Sequence, residues 1–251
     1  MKTISVVCQK GGVGKTTTVI NIASILSNKG LKTLIIDTDP QGNVSTYLNQ
    51  EKSNTDNTTT TDILDGEKNI NPLKVMDNLY LIPSDIDIKK HNSEKIIGGS
   101  KLKKIYENEN INTFDIVLID TPPTMSSLVQ EALATADYYF IPSKPEFLAV
   151  EGVGQAMSFA KQTIAEVPHT NPVFLGVILN QVDTRRGSYQ DFESELKHIL
   201  ADKLFKTHIS QLTEIADSPL YAKTVLDFNE NSKARIEFEE LTEELLKKVG
   251  L

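Results

Sequence analysis

Residues 10–17 read Lys10-Gly11-Gly12-Val13-Gly14-Lys15-Thr16-Thr17, and no other stretch constrains the fold as tightly. A β-branched apolar run (3–8) precedes it, and a helical run (17–29) with Gly30 at its end comes after. A glycine-rich turn between strand and helix lets backbone N–H groups converge on an anion. The helix N-terminus adds its partial positive charge. Gly14-Lys15-Thr16 has the spacing of a phosphate loop, in which Lys15 reaches β- and γ-phosphates and the Thr16 hydroxyl ligates Mg²⁺. Position 9 departs from the usual pattern, with Gln9 where Gly is expected. Lys10 adds a second cation at the mouth of the loop, a crowding of like charge that makes sense when an anion is there to bind.

Further short apolar runs at 33–37, 79–82, 115–120, 138–141 and 173–180 read as strands. Several are continuously apolar, which predicts burial on both faces and parallel pairing. Helical patterns at 126–136, 150–166 and 191–204 fall between them. This alternation predicts an α/β fold, a doubly wound, mainly parallel sheet with helices on both faces, whose ligands bind at the carboxyl ends of the strands. No internal repeat or linker interrupts it, so one domain over 1–251 is expected. Residues 51–61 are polar and Thr/Asn-rich and read as a surface loop.

Two strand ends carry acids. Asp37 and Asp39 stand two apart in Asp37-Thr38-Asp39-Pro40-Gln41-Gly42-Asn43, sharing a face if the strand continues. Carboxylates beside a Mg²⁺-phosphate site can hold metal-bound water or orient an attacking water. Asp120 ends an apolar strand ahead of Thr121-Pro122-Pro123, the place of an acid that holds Mg²⁺ through water, and the proline pair stiffens the loop beyond it. Asn180 closes a late strand. Its amide offers both donor and acceptor to a base edge, although an asparagine ending a strand in a turn has the same sequence appearance.

The blocks KGGVGKTT, DTDPQGN and IDTPP, with 131–137 and 141–143, make the chain similar to the ParA/Soj partition ATPases of the deviant Walker A superfamily. The resemblance runs from residue 3 to about residue 225. It implies a P-loop ATPase that binds ATP and Mg²⁺ through Lys10, Gly11, Gly12, Val13, Gly14, Lys15, Thr16 and Thr17. Asn180 would read the base, and Lys10, Lys15, Asp39 and Asp120 would be catalytic. Thr16 would hold the metal, with Asp39 and Asp120 acting through water. It further implies an ATP-dependent homodimer in which Lys10 crosses to the partner's nucleotide. Such a dimer would bind double-stranded DNA nonspecifically and be released when a centromere-binding ParB-like partner stimulates hydrolysis. Intrinsic turnover is expected to be slow, because no strong base stands near the attacking water. The first strand starts at residue 3, so the N-terminal helix-turn-helix extension of larger members is not expected. One departure concerns the segment 210–219, where the family's DNA-binding arginines have Gln211 and Glu214 near their places.

A net charge of −8, taken alone, opposes a DNA partner. Its distribution matters more. Residues 185–251 hold 10 Lys and Arg against 13 Asp and Glu, so the C-terminal third is not basic as a block. Residues 89–104 carry six lysines, including Lys89, Lys90 and Lys95, against Glu94 alone. A solvated helix face explains such a run. A patch assembled on a dimer is the alternative, drawing on Lys101, Lys103, Lys104, Arg185, Arg186, Lys233 and Arg235. A glutamate-rich last helix (Glu237, Glu239, Glu240, Glu243, Glu244) would be repelled by anionic lipid, against a MinD-like membrane-cycling ATPase. A P-loop metabolic enzyme is the third reading. The one cysteine, Cys8, sits inside the first strand, where a core residue is expected rather than an intersubunit cluster ligand. A single Cys and the lack of a long apolar run predict a cytoplasmic protein, and the resemblance implies one that is nucleoid-associated when ATP-bound.

Overall fold

The computed structural model describes residues 1–50, 57–92, 96, 99–146, 149–185 and 187–251. In chain order these form β1 (Lys2–Val6), α1 (Lys15–Asn28), β2 (Thr33–Asp37), α2 (Asn43–Tyr47), α3 (Thr60–Asp65), β3 (Leu73–Met76) and β4 (Leu79–Ile82). After two 3₁₀ turns, Ile86–His91 and Leu102–Glu107, come β5 (Ile116–Asp120), α4 (Ser127–Thr135), β6 (Tyr138–Ser143), α5 (Ala149–Glu166) and β7 (Val173–Leu179). The chain finishes with α6 (Gly187–Leu200), α7 (Thr213–Asp217), the 3₁₀ turn Ser218–Tyr221 and α8 (Lys233–Val249). Residues 51–56, half of the polar loop expected from the sequence, lie outside the described residues, as do Glu94, Lys95 and Arg186.

The sheet runs β3-β4-β2-β5-β1-β6-β7, parallel except for the β3–β4 pair. Residue alternation divides the core. Ile4 and Val6 of β1, with Ile116 and Leu118 of β5, pack under α1 and α8 against Ile22, Leu26, Phe238 and Leu241. Val117 and Ile119 turn to the other face, against Ile63, Leu128 and Ala132 of α3 and α4. Tyr139, Ile141 and Val177 meet α5 and α6 there through Val153, Ala156 and Leu196. A period-two strand whose faces are both buried is what the continuous apolar runs require. This is the doubly wound α/β architecture expected from the sequence.

β1, β2, β5, β6 and β7 all point their carboxyl ends at one rim. β1 lies between β5 and β6, so the loop after it opens into the crevice of that rim.

Candidate nucleotide and metal site

Residues 9–14 form the turn between β1 and α1. Gly14 sits at φ 86° directly before the helix, a left-handed conformation in which a side chain is strained. A Cβ there would also stand 3.1 Å from the Asn180 amide nitrogen. The loop is thus a nest of backbone N–H groups with no acid in the first turn of α1 to fill it. Lys15 opens the helix and is buried, and its ammonium has no ion-pair partner among the described residues. A buried ammonium without a counter-ion is costly, so the place is built for an anion.

β2 and β5 bring Asp37 and Asp120 opposite each other in the ladder. The Thr16 hydroxyl donates to Asp120 Oδ2 at 2.6 Å, while Asp120 Oδ1 is buried with no partner among the described residues. Burial pushes the Asp120 pKa up to about 6, against the pull of the Thr16 hydrogen bond and the Lys15 charge. Both features fit a magnesium ion, whose charge would favour the ionised carboxylate and whose water could occupy the orphaned oxygen. No cage of three or more acidic, His or Cys side chains forms among the described residues. That too suits Mg²⁺, which keeps several waters and borrows phosphate oxygens.

Asp37 and Asp39 do not share a strand face, because β2 stops at Asp37. Asp37 instead organises the turn: its carboxylate accepts from Asp39 N at 2.9 Å and from Val44 N at 3.2 Å. Burial, with Asp120 and Asp39 nearby, holds its pKa well above the usual carboxylate range. Asp39 is buried beside it and accepts from Gln41 N at 2.9 Å, tightening the Asp-Pro-Gln-Gly turn.

Asn180 comes directly after β7. Its amide nitrogen donates to Val13 O and Thr18 Oγ1, both at 2.9 Å, and its Oδ1 is buried with no partner among the described residues. Next to it lies a cavity of about 180 Å³, with Gly14, Thr17, Gln211, Leu212, Pro219 and Phe238 on its walls. Lys10 is exposed and pairs with Glu146, in the segment after β6. Sequence spacing gives no sign of this pair, because 136 residues separate its members.

The structure brings the loop, Asp39, Asp120 and Asn180 to one rim, but it does not gather the basic residues. Lys101, Lys103 and Lys104 lie at the 3₁₀ turn Leu102–Glu107, whose apolar side packs on α3 and α4. Lys103 donates to His169 O at 3.1 Å, and Arg185 is held by Asp183 at 2.8 and 3.0 Å. Lys233 and Arg235 begin α8, 3.6 Å from Glu237 and 3.0 Å from Glu239 respectively. Cys8 is buried and its thiol pKa is raised by that burial, as befits a core residue.

This fold, with a glycine nest, a buried lysine and an acid-ended neighbouring strand, defines a P-loop nucleoside triphosphatase. The family model described as an AAA domain matches residues 1–172. A chromosome-partitioning ATPase Soj from Treponema pallidum (strain Nichols) is 31% identical over 99% of this chain and 98% of its own length. The sporulation initiation inhibitor protein Soj of Bacillus subtilis (strain 168) is 29% identical over 97% of this chain and 98% of its own. The crystal structure of a putative plasmid partition protein from Borrelia burgdorferi B31 bound to AMPPNP superposes with TM-score 0.78, 26% identity and 98% coverage of both chains. The chain belongs to the Soj/ParA family of partitioning ATPases.

Proposed function

We propose that this chain hydrolyses Mg²⁺-ATP to drive a DNA-partitioning cycle. One observation carries the reading: a buried Lys15 ammonium on the same rim as the buried Asp120 Oδ1, each without a partner among the described residues. The loop N–H groups of 11–16 and Lys15 bind the phosphates. Thr16 and Asp120 hold the metal, Asp120 through water, and Asp39 orients the attacking water or a metal-bound one. Magnesium, when bound, neutralises charge on the β- and γ-phosphate oxygens. Asn180 Oδ1 is left to accept from the amino group of adenine, while its amide nitrogen stays on the loop.

Two ATP-bound copies then join face to face. For Lys10 this means exchanging Glu146 for the partner's phosphates, so the exposed ion pair acts as its resting place. Such a pair is weak in water, and the exchange therefore costs little. The dimer binds double-stranded DNA nonspecifically in the cytoplasm and lets go when a ParB-like partner stimulates hydrolysis. Among the described residues no helix is long and apolar enough to cross a membrane.

Light scattering with ATP, alongside phosphate release, tests the cycle. Lys15→Ala is expected to lose nucleotide binding, and Lys10→Ala to bind ATP yet dimerise or hydrolyse poorly. Asp39→Ala should accumulate an ATP-bound dimer. Wild-type turnover by Asp39→Ala would remove that residue from the reaction.

A further inference from the structure

One wall of the base cavity is a single excursion of chain, residues 210–219, that supplies Gln211, Leu212, Ile215 and Pro219. Its internal bonds are local: Ala216 N to Leu212 O at 3.2 Å, and the Ser218 hydroxyl to Ile215 O at 2.8 Å. A short backbone pairing ties its start to the segment after β7, with Gln211 N on Val182 O at 2.9 Å. Two buried side chains from elsewhere in the fold then pin its two ends. Glu237 on α8 takes Ser210 N at 2.7 Å on one carboxylate oxygen and the Ser210 hydroxyl at 2.6 Å on the other. Tyr47 on α2 meets Ser218 Oγ at 2.5 Å, and since that hydroxyl already donates to Ile215 O, the tyrosine is the donor.

Neither pin lines the cavity. Glu237 is the neighbour of Phe238, which does, and Tyr47 ends the helix that starts just after the Asp39 turn. Each is buried, Glu237 with 8% and Tyr47 with 5% of its surface exposed, so their hydrogen bonds hold without competition from water. A carboxylate buried in this way is tolerated because both oxygens are engaged by one residue of the wall and the Lys233 ammonium stands 3.6 Å from one of them.

We infer that Glu237 and Tyr47 are positioning residues for adenine binding, fixing the 210–219 wall against Asn180 from its two ends. The inference rests on the ATP reading above and deepens it. The loop that takes the phosphates is built from β1 and α1, and Tyr47 meets that helix at Asn21, past the loop's own residues. Loss of a pin therefore loosens the grip on the base and leaves the grip on the phosphates.

Calorimetry with Mg²⁺-ATP and with Mg²⁺-tripolyphosphate, which has no base, separates the two. For Tyr47→Phe and Glu237→Leu, ATP affinity is expected to fall by roughly tenfold or more, with tripolyphosphate affinity unchanged. Glu237→Gln should restore ATP binding, since its carbonyl accepts from Ser210 N and its amide donates to the hydroxyl. Ser210→Ala, which deletes the hydroxyl bond and keeps the one from Ser210 N, should fall between. Equal loss of both ligands, or no loss of ATP affinity in Tyr47→Phe and Ser210→Ala, overturns the inference. A wild type that binds tripolyphosphate as tightly as ATP would instead overturn the adenine reading, and this inference with it.

Discussion

Asp120 stands under opposed demands. Deep burial, with Asp39 nearby, disfavours its charge, and the proposed metal binding needs that charge. A carboxyl whose pKa is raised on folding binds its proton more tightly in the native state. Its stabilising contribution is therefore full below the ordinary value of 3.8 and lost as pH rises through about 6. In nucleotide-free protein, Asp120→Asn is expected to raise the melting temperature at about pH 8, by about 2–4 °C for each kcal/mol relieved, with the gain shrinking toward about pH 4. The same variant should lose the further stabilisation that Mg²⁺-ATP gives the wild type. Thermal melts at both pH values check this, and a variant less stable at about pH 8 would show that the ionised carboxylate is not under strain. Gly14 makes a second case at this scale. Gly14→Ala must hold φ 86° and crowd the Asn180 amide, so it should lose both stability and nucleotide binding, read by melts with and without ATP. The phosphate-loop residues, Asp39 and Asp120 are legible in the sequence because their chemistry is local there. The Glu237–Ser210 and Lys10–Glu146 pairs are not, because no spacing rule links residues brought together by the fold alone.

At the scale of elements, strands are easiest to read where most of their residues are buried. β2 and β4 have the bounds expected from their apolar runs, and β1, β5 and β7 differ by a residue or two. β3 leaves no such mark, since Leu73–Met76 is a four-residue antiparallel edge strand without a fully buried residue. α2 and α7, five residues each, are too short to show a helical period. α6 starts and ends earlier than the apolar pattern at 191–204 suggests: the helix begins at Gly187, and Ala201 then takes φ 49° and leads into a 3₁₀ turn. That turn explains Gly176 in β7. A Cβ at Gly176 would lie 2.1 Å from Lys203 O, and the glycine's φ of 140° belongs to the same register shift against β6. Gly176→Ala must push the 201–204 turn off the strand and should cost more than about 1–3 kcal/mol, measured as a lower urea midpoint. A midpoint within error of the wild type would mean that the turn moves freely.

The net charge of −8 belongs to the whole molecule, and the structure explains much of it locally. On α8, Glu237 holds Ser210, Glu244 accepts from Lys206 N and Thr207 N at 3.0 Å, and Glu243 pairs with Lys29. Phe238, Leu241, Leu245 and Val249 bury a stripe of the helix, flanked by Glu237 and Glu244, against α1. The acids of this helix thus fasten neighbouring chain as well as facing solvent, and its apolar stripe is committed to the core. In the proposed cycle, DNA attraction then falls to cations not already matched by acids. Arg185, Lys233 and Arg235 each have a carboxylate beside them. Lys104, at the 3₁₀ turn over α3 and α4, has no ion pair among the described residues. If DNA binding uses that turn, ATP-dependent affinity should fall when Lys103 and Lys104 are both changed to Glu. The slope of log affinity against log salt should then shrink by about 0.9 for each phosphate no longer neutralised. Lys233→Glu should do much less, because Glu237 already offsets that charge. Filter binding across a salt series, with ATP, ADP and no nucleotide, reads both quantities. An unchanged slope in the double variant would move the DNA face away from residues 101–104, and tight binding that ignores salt and nucleotide would remove the partition cycle itself.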